Sequence, residues 1–187
     1  MPANALDYIT VRGFKSIASI EKLKLGPINV LIGANGSGKS NFLEVFRLVD
    51  NVTDGRLRNY VQLAGGADKI LYFGSKVTEE ITVELWFSAY ANPYDVILSA
   101  TTDDALYISN EVPSAPGVPR LDLLTEWKRN HFGGWRLYHL HDTAPMRKTA
   151  SVDDNRFLRP DGSNLAALLF YLQQRHSDSC KMIRRTV

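Results

Sequence analysis

Eight consecutive residues, Gly33-Ala34-Asn35-Gly36-Ser37-Gly38-Lys39-Ser40, satisfy the pattern G-x-x-x-x-G-K-[ST] in full. Glycines admit backbone conformations closed to other residues, so successive N–H groups can converge on one anion. Where such a loop runs into a helix, the unpaired N–H groups and partial positive charge of the helix start favour the same anion. Lys39 would then set an ammonium against the β- and γ-phosphates of a bound polyphosphate, and the Ser40 hydroxyl would be a ligand of its Mg²⁺. The candidate cofactor-binding residues here are Gly33, Gly36, Ser37, Gly38, Lys39 and Ser40, with ATP and Mg²⁺ the expected ligands.

The flanks agree with that reading. Ile28–Ile32 is a short, almost wholly apolar run, which predicts a strand buried on both faces. Ser40–Val49 places Phe42, Val45, Phe46 and Val49 on one stripe, which predicts an amphipathic helix. The motif is therefore expected at a strand-to-helix junction.

Leu6–Arg12 and Ser16–Leu25 alternate and read as strands. Asn51–Asp68 reads as a polar loop with a short helix at Tyr60–Ala64. Ile70–Phe73, Ile81–Ser88, Tyr94–Ser99 and Ala105–Ile108 are strand-like runs separated by Gly74-Ser75, Asn92-Pro93 and Asp103-Asp104. Such short connections predict antiparallel pairing, because parallel strands need a long crossover. Pro113–Pro119 has the composition of a linker, Trp135–His141 reads as a further strand, and Lys181–Val187 as a helical end. Asp161-Gly162-Ser163 leads into a helix over Asn164–Gln174, striped by Leu165, Leu168, Leu169 and Leu172.

Composition adds limits more than direction. With 187 residues, 44% apolar and 22% charged, the chain is an ordinary one-core globular sequence. A formal net charge of +2 favours no particular partner. The lone cysteine, Cys180, excludes an internal disulfide, and Met1–Asp7 lacks a signal-peptide pattern, so a cytoplasmic location is expected. No run approaches the roughly 18–20 apolar residues of a membrane span, so no membrane partner is expected.

Phe14-Lys15-Ser16 ahead of Ile28–Ile32 and the glycine loop, with Asn35 between the glycines and Asn41 after Lys39-Ser40, resembles the N-terminal lobe of ABC-type ATPases of the SMC, RecF and OLD kind. The nearest likeness is to RecF-related predicted AAA-type ATPases. Trp135–Thr143 and Leu158–Ala166 look like later segments of the same group. The resemblance implies an α/β fold: a P-loop NTPase lobe with a mixed or antiparallel β layer flanked by helices. It adds Asn35 and Asn41 to the candidate nucleotide-binding residues, and puts Lys15 and Ser16 near the nucleotide. It also implies a nucleotide sandwiched between two heads, as in a homodimer, and DNA as a partner by analogy alone, in repair or phage defence.

The chain departs from the group where hydrolysis is concerned. Members carry four apolar residues followed by Asp-Glu, the Asp steadying Mg²⁺ and the Glu activating water. Here Leu106-Tyr107-Ile108 runs into Ser109-Asn110-Glu111, and Arg136–Asp142 is interrupted by His139 and His141. A serine-glycine signature segment and a late histidine are missing too. The expectation is a single incomplete lobe over residues 1–187. In it, 1–50 would hold the first strands and the phosphate loop, 51–112 an antiparallel region, and 113–187 a linker, strand and helices. A C-terminal catalytic lobe would be missing. Gln62, Gln173 and Gln174 are the candidates for a γ-phosphate-sensing glutamine. A non-catalytic nucleotide-binding switch or dimerisation module is the alternative. A guanine-nucleotide switch is disfavoured, because the guanine-reading run Asn-Lys-x-Asp does not occur.

Other chemistry-bearing residues point nowhere firm. His139 and His141 share one side of their expected strand, but Thr143 and Ala144 stand where a metallo-hydrolase run would continue with Asp and His. Lys181, Arg184 and Arg185 read as a solvated basic end, and Asp153, Asp154, Arg156 and Arg159 as a charged loop. Trp86, Trp127 and Trp135 read as packing residues.

Overall fold

Alternating apolar and polar residues build one sheet. In the computed structural model, which describes residues 5–87, 93–112 and 157–178 together with Phe132, Trp135, Tyr138, Ser151 and Lys181, five strands form it. They are β1 (Leu6–Phe14), β2 (Ile17–Lys24), β3 (Glu80–Phe87), β4 (Tyr94–Ala100) and β5 (Leu106–Val112). The order is β2-β1-β3-β4-β5, and every neighbouring pair is antiparallel. The antiparallel expectation holds because each connection is too short for a crossover, apart from the one that carries the helices.

On one face Ile81, Val83, Leu85 and Phe87 of β3 are buried beside Ile9 and Val11 of β1 and Tyr94, Val96 and Leu98 of β4. Helix α1 (Lys39–Thr53) contributes Phe42, Val45, Leu48, Val49 and Val52 to the core, and α2 (Leu57–Ala64) contributes Leu57, Tyr60 and Val61. On the other face the guanidinium of Arg12 bridges Glu21 of β2 at 2.7 Å and Glu84 of β3 at 2.9 Å. The ammonium of Lys22 lies 4.7 Å from the centre of the Trp86 ring, a cation–π contact.

Four expectations are corrected. Ile28–Ile32 is not a strand, and it is not buried: Ile28 is 86% exposed, Val30 74% and Ile32 91%. An apolar run becomes a buried strand only where neighbouring strands accept its hydrogen bonds, and the five-stranded sheet does not include it. Ile70–Phe73 forms a single bridge, Leu71 to Phe14, after a 3-10 turn at Ala67–Lys69. Phe73 at φ +56° and Gly74 at φ +80° then turn the chain out of any extended path. The helix expected at Tyr60–Ala64 begins at Leu57, and the one expected over Ser40–Val49 runs on to Thr53.

The chain divides into two compact units, Met1–Gly134 and Trp135–Val187. In the second, α3 (Leu165–Arg175) follows Asn164, which is fully buried. The Asn164 side chain accepts from the Arg159 N–H and donates to the Phe157 carbonyl, both at 2.8 Å, tying the preceding turn to the helix start. The leucine stripe is half-buried, and Ala167 is the one buried residue of the helix. The strand expected at Trp135–His141 and the linker at Pro113–Pro119 lie outside the described residues, except that Trp135 and Tyr138 are in neither helix nor strand. His139, His141, Cys180, Arg184 and Arg185 lie outside them as well.

Candidate phosphate-binding site

The glycine loop is exposed from Gly33 to Ser37 and ends on the first turn of α1. Gly36 at φ +83° and Gly38 at φ +89° take the left-handed backbone that the motif reserves for glycine. The chain turns over Ala34–Ser37, with the Ser37 N–H bonded to the Ala34 carbonyl at 3.2 Å. Gly33 is needed for space: a Cβ there would lie 2.8 Å from the Ser37 hydroxyl oxygen.

Gly38 caps α1, and its carbonyl accepts the first helical bond, from the Phe42 N–H at 2.9 Å. No side chain caps this end and no acidic residue sits in the first turn. The leading N–H groups of a helix have no partner within it. Left uncapped, they present a donor surface and the positive end of the helix dipole to any anion held by the loop.

Lys39 turns back over the loop. Its ammonium donates to the Gly33 carbonyl at 2.7 Å, the Ala34 carbonyl at 2.6 Å and the Ser37 hydroxyl at 3.2 Å. The cation thereby rests on neutral acceptors, weaker partners than a charged phosphate oxygen. Asn35 and Ser40 are exposed, and Asn41 is half-buried with its amide donating to the Ser16 hydroxyl at 2.7 Å. The loop, the uncapped helix and the ammonium therefore fit a polyphosphate. For Mg²⁺ the loop offers the Ser40 hydroxyl, on an exposed residue. Among the described residues no group of three metal-ligating side chains occurs; Mg²⁺ at nucleotide sites commonly takes phosphate oxygens and water among its ligands.

The junction is half of what the sequence predicts. The helix follows the loop, but the buried strand before it is absent. Beside the helix start lies the β1–β2 turn. Lys15 pairs with Glu44 of α1 at 2.5 Å, and Ser16 meets Asn41 and approaches Gly38. Sequence reasoning missed Glu44, which stands 29 residues from Lys15.

Of the candidate sensor glutamines, Gln62 does not stand at the loop. Gln62 lines a separate cavity of about 310 Å³ with Arg58, Gly65, Asp103, Asp104 and Leu106. Gln173 and Gln174 lie exposed on α3, in the other compact unit. Glu111, three residues beyond the apolar run Leu106–Ile108 on β5, receives the Tyr94 hydroxyl and so has a structural partner.

Compared with known proteins, residues 5–177 match a family described as an AAA ATPase domain. No curated protein matches the chain. Among the described residues no helix is long and apolar enough to cross a membrane.

Proposed function

The chain belongs to the AAA ATPase domain family, and on that premise we propose that it binds Mg-ATP through Gly33–Ser40. The observation that carries the reading is the loop itself: two left-handed glycines around Ser37, an uncapped helix start and an ammonium resting on replaceable carbonyls. The proposed roles are backbone donation by Gly36–Ser40, charge neutralisation of the β- and γ-phosphates by Lys39, and Mg²⁺ ligation by Ser40. The setting is a cytoplasmic one.

The finer assignment is to an SMC/RecF-like lobe whose hydrolysis depends on a second, catalytic lobe. The exposed Ile28–Ile32 run supports it. Five mostly apolar residues, directly joined to the phosphate loop and open to water on both faces, have the composition of an interior strand. A lobe that adds strands on either side would bury them and steady the loop. A role in a DNA transaction follows from the resemblance only. The second reading, a nucleotide-binding switch or dimerisation module that does not turn ATP over, is favoured by Glu111. That acid is bonded to Tyr94 at the edge of the sheet and not held at the phosphate loop.

Calorimetry with Mg-ATP tests the central claim. Binding is expected for the parent chain and is expected to be lost in Lys39→Ala; equal affinity of the two would overturn the role given to Lys39. ATP turnover by the purified 187-residue chain is expected at background, and clear turnover would remove both the second-lobe and the switch readings.

A further inference from the structure

The phosphate loop lacks the strand expected to hold its front end, and the contacts that reach it and α1 come from the β1–β2 turn. We propose that the β1–β2 turn, Lys15-Ser16, is a positioning clamp for the phosphate loop, acting through Asn41 and Glu44 on the first two turns of α1. The proposal rests on the nucleotide-binding reading above and deepens it.

The turn is itself anchored. Phe14 is fully buried and bridges to Leu71, the Lys15 N–H donates to the Ile70 carbonyl at 2.7 Å, and the Tyr72 N–H donates to the Gly13 carbonyl at 3.0 Å. Lys15 sits at φ +50°, an uncommon backbone for a lysine, so the surrounding bonds determine the turn and not the residue's own preference. From this base two neighbouring side chains reach the helix. Asn41 and Glu44 are three residues apart and so share a face of α1. Ser16 takes the Asn41 amide at 2.7 Å, and Lys15 takes the Glu44 carboxylate at 2.5 Å in a pair about three-quarters shielded from water. The contact extends to the loop: a Cβ on Gly38, the residue at φ +89° that turns the loop into the helix, would lie 3.1 Å from the Ser16 hydroxyl. Against this, the residues ahead of the loop belong to no strand of the sheet, and Ile28, Val30 and Ile32 are exposed. The loop is therefore located from behind, by the turn.

A clamp of this kind acts on affinity more than on folding. The Ser16–Asn41 bond is exposed, so its loss leaves groups that water can satisfy. What is lost is the preorganisation of the loop. The test is a double-mutant cycle in the full 187-residue chain, read by Mg-ATP affinity and, separately, by urea unfolding. Ser16→Ala is expected to weaken ATP binding by about threefold to tenfold, the range of one net hydrogen bond, with an unchanged urea midpoint. Ser16→Thr, which keeps the hydroxyl, is expected to restore it. Ser16→Ala combined with Asn41→Ala is expected to cost no more than Asn41→Ala alone. Additive losses would show Ser16 acting on the nucleotide by itself and would overturn the clamp, as would a Ser16→Ala chain of parental affinity. Glu44→Gln provides a second arm through the ion pair, and parental affinity in that variant would remove Lys15 and Glu44 from the clamp. No binding by the parent chain would instead overturn the nucleotide reading, which keeps the two failures apart.

Discussion

Asp95 stands on β4 directly opposite Glu84 of β3, and one of its carboxylate oxygens is buried without a hydrogen-bond partner. Burial, and then the charge of Glu84, push its pKa above the ordinary aspartate value, while Arg12 pulls the other way. A carboxyl raised in the folded state favours the fold while it is protonated. Its contribution is complete below the unfolded value, near pH 4, and is lost as pH rises through the raised folded value. At neutral pH the ionised form is thus a liability. Asp95→Asn is expected to raise the urea midpoint above the parent's at pH 7, with the difference vanishing by pH 3. A gain of the same size at both pH values would mean that shape, not charge, is responsible. Residues differ in how far the sequence discloses such roles. Gly36, Gly38 and Lys39 are legible because one contiguous pattern fixes their neighbours. Asp95 reads as an unremarkable polar strand residue, since its difficulty comes from Glu84, eleven positions away in the chain and adjacent only after pairing. The Lys15–Glu44 pair is hidden for the same reason.

Elements follow the same division between local pattern and distant partner. In β3 the alternation of Ile81, Val83, Leu85 and Phe87 with Thr82, Glu84 and Trp86 carries both the strand and its buried face. The leucines of α3 carry the helix, but nothing in their spacing says what they pack on. Ile28–Ile32 is the sharpest case, because local composition gives a strand and only neighbouring strands could complete it. Its exposure makes a measurable claim. Ile32→Ala should change stability by under about 0.5 kcal/mol, as surface substitutions do. Ile81→Ala, at a fully buried position, should cost about 2–5 kcal/mol. Urea melts of the two variants at several protein concentrations decide the matter. A large cost at Ile32 would mean that the run is covered in solution, and a cost growing with concentration would identify a second copy as the cover.

For the whole molecule, the loop, α1 and the turn behind them exist only in the folded chain, so a bound polyphosphate must stabilise the fold that presents them. Binding to the native state alone adds RT ln(1 + [L]/Kd), about 2.7 kcal/mol when ligand is a hundredfold above Kd. Saturating Mg-ATP is therefore expected to raise the urea midpoint of the transition that reports on α1, by an amount that grows with the logarithm of ATP concentration. With the proposed roles of Lys39 and the glycine amides, all directed at phosphate, adenosine should give no shift. Lys39→Ala should lose most of the ATP shift without losing the fold, since that ammonium contacts only the exposed loop. Removing Mg²⁺ with EDTA should leave a smaller shift, the part owed to loop amides and Lys39 without the Ser40-bound ion. Adenosine matching ATP would place recognition at the base and away from Gly33–Ser40. A shift that survives in Lys39→Ala would place the phosphates elsewhere on the chain.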